Sequence, residues 1–330
     1  MNISLDPRAR AAADWAAARL ETEPDRFQPA STDASFRRYF RLQCAVGSFI
    51  VMDAPPEYEN CRPFVRVARL MRSAGLHVPI VIASDLERGF LLLSDLGTRT
   101  YLQALNAGNA DALFDDAIQT LLQWQRATCA GQLPVYRRAL LARELQLFPD
   151  WYLQHHLGTP LGADEQAVWQ AQCERLIEAA LAQPQVFVHR DYMPRNLMLS
   201  QPNPGVLDFQ DAVIGPLAYD VISLFKDAFL SWPAERVEGW LSAYWHRAGA
   251  AGLPVPGYAR FRRDADWIGV QRHLKVLGIF ARLAYRDGKP DYLSDTPRFV
   301  RYVTEVASRY PELAALSGLF DKLVLPVVSP

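Results

Sequence analysis

At 330 residues the chain is more than twice the roughly 150 residues of an average domain, so one large or two modest domains with real cores are expected, and a miniature disulfide or metal scaffold is excluded. Half of the residues are hydrophobic and 11% are aromatic, which excludes a disordered chain. The 35 basic residues against 36 acidic ones leave a net charge of -1, without the positive excess of a dedicated nucleic-acid binder.

In chain order, Asp6-Pro7 followed by an alanine-rich stretch to Leu20 predicts a helix capped by Asp6. The segments around Phe36 to Leu42 and Ser48 to Met52, with a turn near Gly47, predict a hairpin. Phe64, Val67, Ala68 and Met71 then recur at helical spacing until Gly75 ends the pattern. Two short apolar strands are expected at Val78 to Ala83 and Gly89 to Leu93. After Asp95-Leu96-Gly97 the texture becomes helical, with helices expected over 110–127, 139–156, 164–182, 233–248, 267–285 and 298–310. Val186 to Asp208 interrupts that run with short β elements around a PNPG turn. The expectation is an α+β chain with a sheet-rich region over residues 1–97 and a helical one over 98–330.

Cys44, Cys61, Cys129 and Cys173 stand apart with no CxxC pair, which speaks against a zinc or redox motif and suits a reducing compartment. The apolar runs are too short to cross a bilayer and no signal segment opens the chain. A cytoplasmic protein without membrane, nucleic-acid or obligate protein partner is expected. Lysine occurs only at Lys226, Lys275, Lys289 and Lys322, so every basic role in the first 225 residues falls to arginine or histidine.

Chemistry concentrates in the β interruption, which carries H189-R-D-Y-M-P-R-N196 followed by L207-D-F-Q210. Asp191 and Asn196 lie five positions apart on one loop, and Asp208 ends a strand twelve residues later. A hairpin would turn these oxygen-bearing groups toward one mouth, the arrangement phosphoryl transfer from ATP requires: Mg2+ held by hard oxygens, and a carboxylate to orient or deprotonate the incoming hydroxyl. His189 reads as a scaffold residue and Asp220, in GPLAYD, as a loop-bracing or capping acid.

The HRDxxxxN loop, the following DFQ and the continuation DAVIGPLAYDV resemble the aminoglycoside phosphotransferase-like family, relatives of the protein kinases, and the resemblance covers nearly the whole chain. It implies a bilobal protein-kinase-like fold, with a small antiparallel-sheet lobe that binds nucleotide and a larger helical lobe for catalysis and substrate. Within that family, ASFRRYFR, VMDAPPE, ELQLFPDWYL and QRHLKVLGIFARLAYRDGK resemble the anomeric kinases of cell-wall recycling, which phosphorylate N-acetylmuramate and N-acetylglucosamine at the 1-hydroxyl. The resemblance makes Asp191 the catalytic base and Asn196 and Asp208 the magnesium ligands. It makes Leu93, Ser94, Asp95 and Leu96 the hinge that meets adenine. Arg195, Gln210, Glu144, Trp151 and Tyr152 are the expected contacts to an amino-sugar acceptor, together with Asp191.

Two departures from the kinase pattern stand out. The third strand reads FIVMDAP, without the usual lysine, and no acidic residue lies between Cys61 and Leu76 to act as its partner. The first hairpin has no GxGxxG. Its STDAS turn, with Ser31 and Thr32, is expected to let the backbone approach the phosphates, and Arg37 and Arg41 are expected to supply the missing positive charge. From Ser231 to Pro290 ten basic residues face five acidic ones, a balance that suits an acidic sugar better than a polycationic antibiotic. Kinases of the same fold acting on aminoglycosides, choline-like amines or homoserine, and a pseudokinase, are the competing readings.

Overall fold

A computed structural model describes residues 6–31 and 36–328. Two compact units emerge, one formed by residues 1–104 with 195–211, the other by 105–194 with 212–330.

The first unit opens with α1 (Pro7–Leu20), whose N-cap Asp6 accepts the Ala9 N–H at 2.8 Å as the Asp-Pro signal predicts. The strands β1 (Pro24–Ser31), β2 (Arg38–Cys44) and β3 (Gly47–Asp53) follow, then helix α2 (Cys61–Ser73) and strands β4 (Val81–Asp85) and β5 (Phe90–Ser94). All five strands join one antiparallel sheet in the order β1-β2-β3-β5-β4. The hairpin predicted at Gly47 is the β2–β3 turn, where Cys44 pairs with Gly47. β1 was not legible, because Pro24 and Pro29 interrupt it. It pairs only with β2, and an edge strand tolerates a missing ladder donor.

One sheet face is apolar: Phe40, Leu42, Val51, Phe90 and Leu92 pack with Ala9, Ala12, Trp15 and Ala16 of α1, whose small side chains let the helix lie close. α2 buries Phe64, Val67, Ala68 and Met71, the four positions its spacing selects, and Gly75 follows it at φ 86°. A short helix α3 (Tyr101–Ala104) ends this part of the chain.

The second unit is mainly helical, beginning with α4 (Ala110–Arg126) and α5 (Arg138–Leu147). The helix expected to run on to His156 becomes a π-helix over Phe148–Leu157. Pro149 lies in its first turn, lacks an N–H and so cannot continue the α ladder. Next come α6 (Ala163–Leu181) and strand β6 (Gln185–Val188).

The chain then contributes strands β7 (Leu197–Met198) and β8 (Gly205–Val206) to the first unit. They pair with each other, and hydrogen bonds from Leu199 N–H to the Arg99 carbonyl (2.8 Å) and from Val206 N–H to the His77 carbonyl (2.8 Å) fix the segment there. Back in the second unit, β9 (Val213–Pro216) pairs antiparallel with β6. The helices α7 (Tyr219–Phe225), α8 (Ala234–Ala250), α9 (Tyr258–Tyr285), α10 (Thr296–Ala307), α11 (Ala314–Leu323) and α12 (Leu325–Val328) complete it.

The 28-residue α9 is the axis of this unit, buried over most of its length and on all sides. At Gly278 it lies close against α5, where a Cβ would come within 2.3 Å of the Leu147 carbonyl carbon. Trp124 and Trp169 are almost wholly buried, so they pack the core rather than face a ligand.

Candidate active site

In the first unit, pairing of β7 with β8 carries Asn196 and Asp208 to the same end of a two-stranded ribbon, where Leu207 N–H donates to the Asn196 carbonyl at 2.9 Å. The Asn196 amide nitrogen lies 3.4 Å from Asp208 Oδ2, and Gln210 Nε2 donates to Asp208 Oδ1 at 2.8 Å. Asp208 adopts φ 62°, a conformation uncommon outside glycine. Phe209 anchors it from the adjacent position: its ring is fully buried 4.8 Å from that of Phe64 on α2. Asn196 is buried, whereas the Asp208 side chain keeps 34% of its surface exposed.

A carboxylate and an amide oxygen at one ribbon end fit magnesium, which takes few protein ligands and fills its shell with phosphate oxygens and water. Rotating the Asn196 amide would present its oxygen beside Asp208; oxygen and nitrogen of such a group are assigned from hydrogen bonding.

The three arginines after the STDAS turn have separate fates. Arg38 bridges Asp6 and the wholly buried Asp53, with Nη2 2.5 Å from Asp53 Oδ2. Asp53 also receives Arg8 Nε at 2.7 Å, so the end of β3 is an ion-paired brace made of arginines. Arg41 forks onto Asp95, with Nε and Nη2 donating at 2.6 and 3.1 Å, and donates to the Gly97 carbonyl at 2.6 Å. Ser48 also donates to Asp95. Burial pushes the Asp95 carboxyl up, yet Arg41 and Ser48 together hold it below its ordinary value. Arg37 Nη2 lies 3.8 Å from Asp208 Oδ1, while its Nη1 is 4.0 Å from Glu59, just before α2.

Spacing alone does not separate Arg37 from Arg41, and Glu59 lies before the helix expected to carry an acidic partner. In the hinge stretch, Leu93 is buried, Ser94 Oγ accepts the Ile80 N–H at 2.8 Å, and Leu96 packs against Gly205, where a Cβ would lie 2.8 Å from Leu96 Cδ1. Thr32 lies outside the described residues, and only the backbone of Ser31 is described, as the last residue of β1.

In the second unit, the loop after β6 is held from two sides. Asp220, wholly buried at the start of α7, accepts the backbone N–H groups of His189 (2.6 Å) and Arg190 (3.0 Å). Burial raises its carboxyl to about 7, although these two N–H donors oppose the rise. This is the loop-bracing role read for Asp220. His189, also buried, accepts the Asp191 N–H through Nδ1 at 3.2 Å, in keeping with a scaffold role, and the Tyr192 hydroxyl donates to the Ala117 carbonyl at 2.9 Å.

The second hold is on Arg190, at φ 78° and paired with Glu144. Glu144 is 4% exposed, and its carboxylate accepts from the Tyr136 hydroxyl, Arg190 and Gln271 Nε2 (3.2 Å), with Lys275 Nζ 3.2 Å away. Burial favours the neutral acid, but Lys275 and Arg190 overcome it and keep the Glu144 carboxyl below its usual value. Glu144 therefore sits inside a hydrogen-bonded charge cluster one residue from Asp191. Tyr152 is wholly buried on the π-helix, stacked 5.6 Å from Phe148; Trp151 is half-buried beside His155; Arg195 is half-buried on the 3-10 turn Pro194–Asn196.

The basic wall counted from the sequence is largely neutralised. Arg236, Arg247, Arg260, Arg262, Arg263 and Arg286 each ion-pair with an acidic side chain, and Lys275 with Glu144. Arg272 is buried and has no such pair among the described residues.

A comparison with known proteins adds to this picture. The chain is 61% identical over 295 residues to an N-acetylmuramate/N-acetylglucosamine kinase of Pseudomonas putida, spanning 89% of this chain and 87% of that protein. It is 59% identical over 304 residues to a protein of the same name from Pseudomonas aeruginosa, spanning 92% and 90%. Its fold matches the streptomycin–ATP ternary complex of APH(2")-IIa with a TM-score of 0.61 at 14% identity, over 94% of this chain and 99% of that one. The family model described as the phosphotransferase enzyme family matches residues 26–263, which include the ribbon with Asn196 and Asp208 and the braced loop with Asp191, and the chain belongs to that family.

Proposed function

We propose that the protein is an ATP- and magnesium-dependent sugar kinase that phosphorylates the anomeric hydroxyl of N-acetylmuramate and N-acetylglucosamine. The products are sugar 1-phosphates, which serve peptidoglycan recycling toward UDP-sugars in the cytoplasm. The observation that carries the reading is the 61% and 59% identity, over about nine-tenths of the chain, to proteins named for those two substrates. Among the described residues no helix is long and apolar enough to cross a membrane, and all four cysteines are free, which accords with a reducing compartment.

In this reading the Asp191 carboxylate accepts the proton of the 1-hydroxyl as that oxygen forms its bond to the γ-phosphorus and the bond to the ADP oxygen breaks. The braced loop presents Asp191 with little freedom, since Asp220 and Glu144 hold the residue before it by backbone and side chain. Asn196 and Asp208 would hold magnesium, which would supply charge neutralisation on the phosphates. Arg37, beside Asp208, grips the phosphates where a kinase lysine would, with Glu59 as its acidic neighbour.

The Leu93 to Leu96 backbone reads adenine, and Arg41 serves by fixing Asp95. The remaining proposed acceptor residues are Arg195 and Gln210 in the first unit and Glu144, Trp151 and Tyr152 in the second.

The test is direct. The protein is incubated with ATP, magnesium and each N-acetylated sugar, and the transferred phosphate is located by phosphorus NMR. A signal coupled to the anomeric proton is expected. Phosphate at another hydroxyl, or turnover of only cationic acceptors, refutes the reading.

A further inference from the structure

In the second unit, several buried polar atoms without hydrogen-bond partners fall on neighbouring stretches of α7, the residues after it and α9. Ser223 Oγ, Asp227 Oδ1, Gln271 Oε1 and Arg272 Nη1 each lack a partner, on residues between 0 and 2% exposed. α7 and α9 are in contact: a Cβ on Gly269 would lie 3.2 Å from the Ile222 side chain. Protein interiors pair nearly all such atoms, so a local concentration of exceptions points to a missing polar ligand.

The catalytic loop reaches this place. Arg272 Nη2 lies 3.9 Å from Met193 Sδ, two residues beyond Asp191. Asp227 Oδ2 accepts the Phe229 N–H at 3.2 Å, leaving Oδ1 unused. Burial raises the Asp227 carboxyl to about 6, opposed first by the Ala228 N–H and then by the Arg272 guanidinium, and among the described residues no ion pair joins the two side chains.

The chemistry of the pair selects the group. A carboxylate would meet Asp227 and Asp220, both carboxylates close enough to feel Arg272, and a cationic amine would meet Arg272 itself. A neutral group with one acceptor and one donor satisfies both orphans, and an amide is such a group. We infer that Arg272 and Asp227 bind the acetamido group of the acceptor sugar, Arg272 donating to its carbonyl oxygen and Asp227 accepting from its N–H. This rests on the sugar-kinase reading above, because the two proposed acceptors share that group.

The test measures affinity for N-acetylglucosamine, N-acetylmuramate and glucose by titration in the presence of ADP and magnesium, for the parent protein, Arg272→Met and Asp227→Asn. The parent is expected to prefer N-acetylglucosamine to glucose. Arg272→Met should weaken both N-acetylated sugars equally, by roughly 10- to 100-fold, with glucose and ADP affinity unchanged; Asp227→Asn should act in the same direction by less. Arg272→Lys should restore part of the loss.

Equal weakening of glucose would assign Arg272 a scaffold role and overturn the inference. A loss confined to N-acetylmuramate would make the site one for its carboxylate and also overturn it. An unchanged preference, or none in the parent, does the same. If Arg272→Met does not fold, the preference of Asp227→Asn decides. A parent protein that phosphorylates neither N-acetylated sugar refutes the proposed function instead, and turnover assays on the same samples show which reading has failed.

Discussion

At the scale of single residues, backbone strain and chemistry coincide. Among the described residues other than glycine, only Glu21, Arg190 and Asp208 have positive φ, and two of these belong to the loop of Asp191 and the ribbon of Asn196. Each is held by neighbours: Arg190 by Asp220 and Glu144, Asp208 by the buried Phe209 and by Gln210. With Asp191 as the base, Asp191→Asn should lower kcat by about 10²- to 10⁴-fold in the phosphate-transfer assay while the melting temperature stays near that of the parent.

Arg37→Gln should raise the KM for ATP, whereas Arg41→Gln, which frees Asp95 and the Gly97 carbonyl, should lower the melting temperature. Steady-state kinetics and thermal melts of the two variants separate these effects.

Asp220 makes a pH prediction. Its folded carboxyl titrates near 7, above the value of about 3.9 in an unfolded chain. Between those values the unfolded state releases a proton that the folded state keeps, so the contribution of this group to stability falls as pH rises and levels off above 7. The unfolding free energy of the parent minus that of Asp220→Asn, measured in urea, should be about 2–3 kcal/mol larger at pH 5 than at pH 8.

At the scale of elements, what the sequence disclosed follows the strength of its local signals. Capped or strongly periodic helices such as α1 and α2 were legible because Asp6, Pro7, Gly75 and the Phe64 to Met71 spacing act within a few residues. β1 and the π-helix were not, since a proline reads as an interruption whether the chain ends an element or places it at a sheet edge or in a looser helix.

Gly278 was invisible for another reason: its constraint is the Leu147 backbone, 131 positions away in the chain. Gly278→Ala would place Cβ 2.3 Å from a carbonyl carbon, which neither helix can relieve by a rotamer change. The variant should lose on the order of 3 kcal/mol of stability in chemical denaturation, whereas Gly239→Ala, in the interior of α8 with no atom near its Cβ, should gain about 0.5–1 kcal/mol.

At the scale of the whole molecule, a ligand that binds the native state alone stabilises it by mass action. With magnesium at Asn196 and Asp208, ADP with magnesium at 100 times its dissociation constant should add about 2.7 kcal/mol, read as a rise in melting temperature that a chelator reverses and Asp208→Asn largely abolishes. The amino-acid order by itself determined the chemical inventory: the spacing of Asp191, Asn196 and Asp208, the lack of lysine before residue 226, and the periodicity of the principal helices. These are properties of neighbours along the chain.

Tertiary structure alone decided which groups are engaged. It put residues 195–211 with the first unit, gave Arg41 to Asp95 and Arg37 to the side of Asp208, enclosed Glu144 among Tyr136, Arg190, Gln271 and Lys275, and left Arg272 and Asp227 with atoms unpaired. Charge pairing depends on distances of a few ångströms between residues tens to more than a hundred positions apart, and only folding sets those distances.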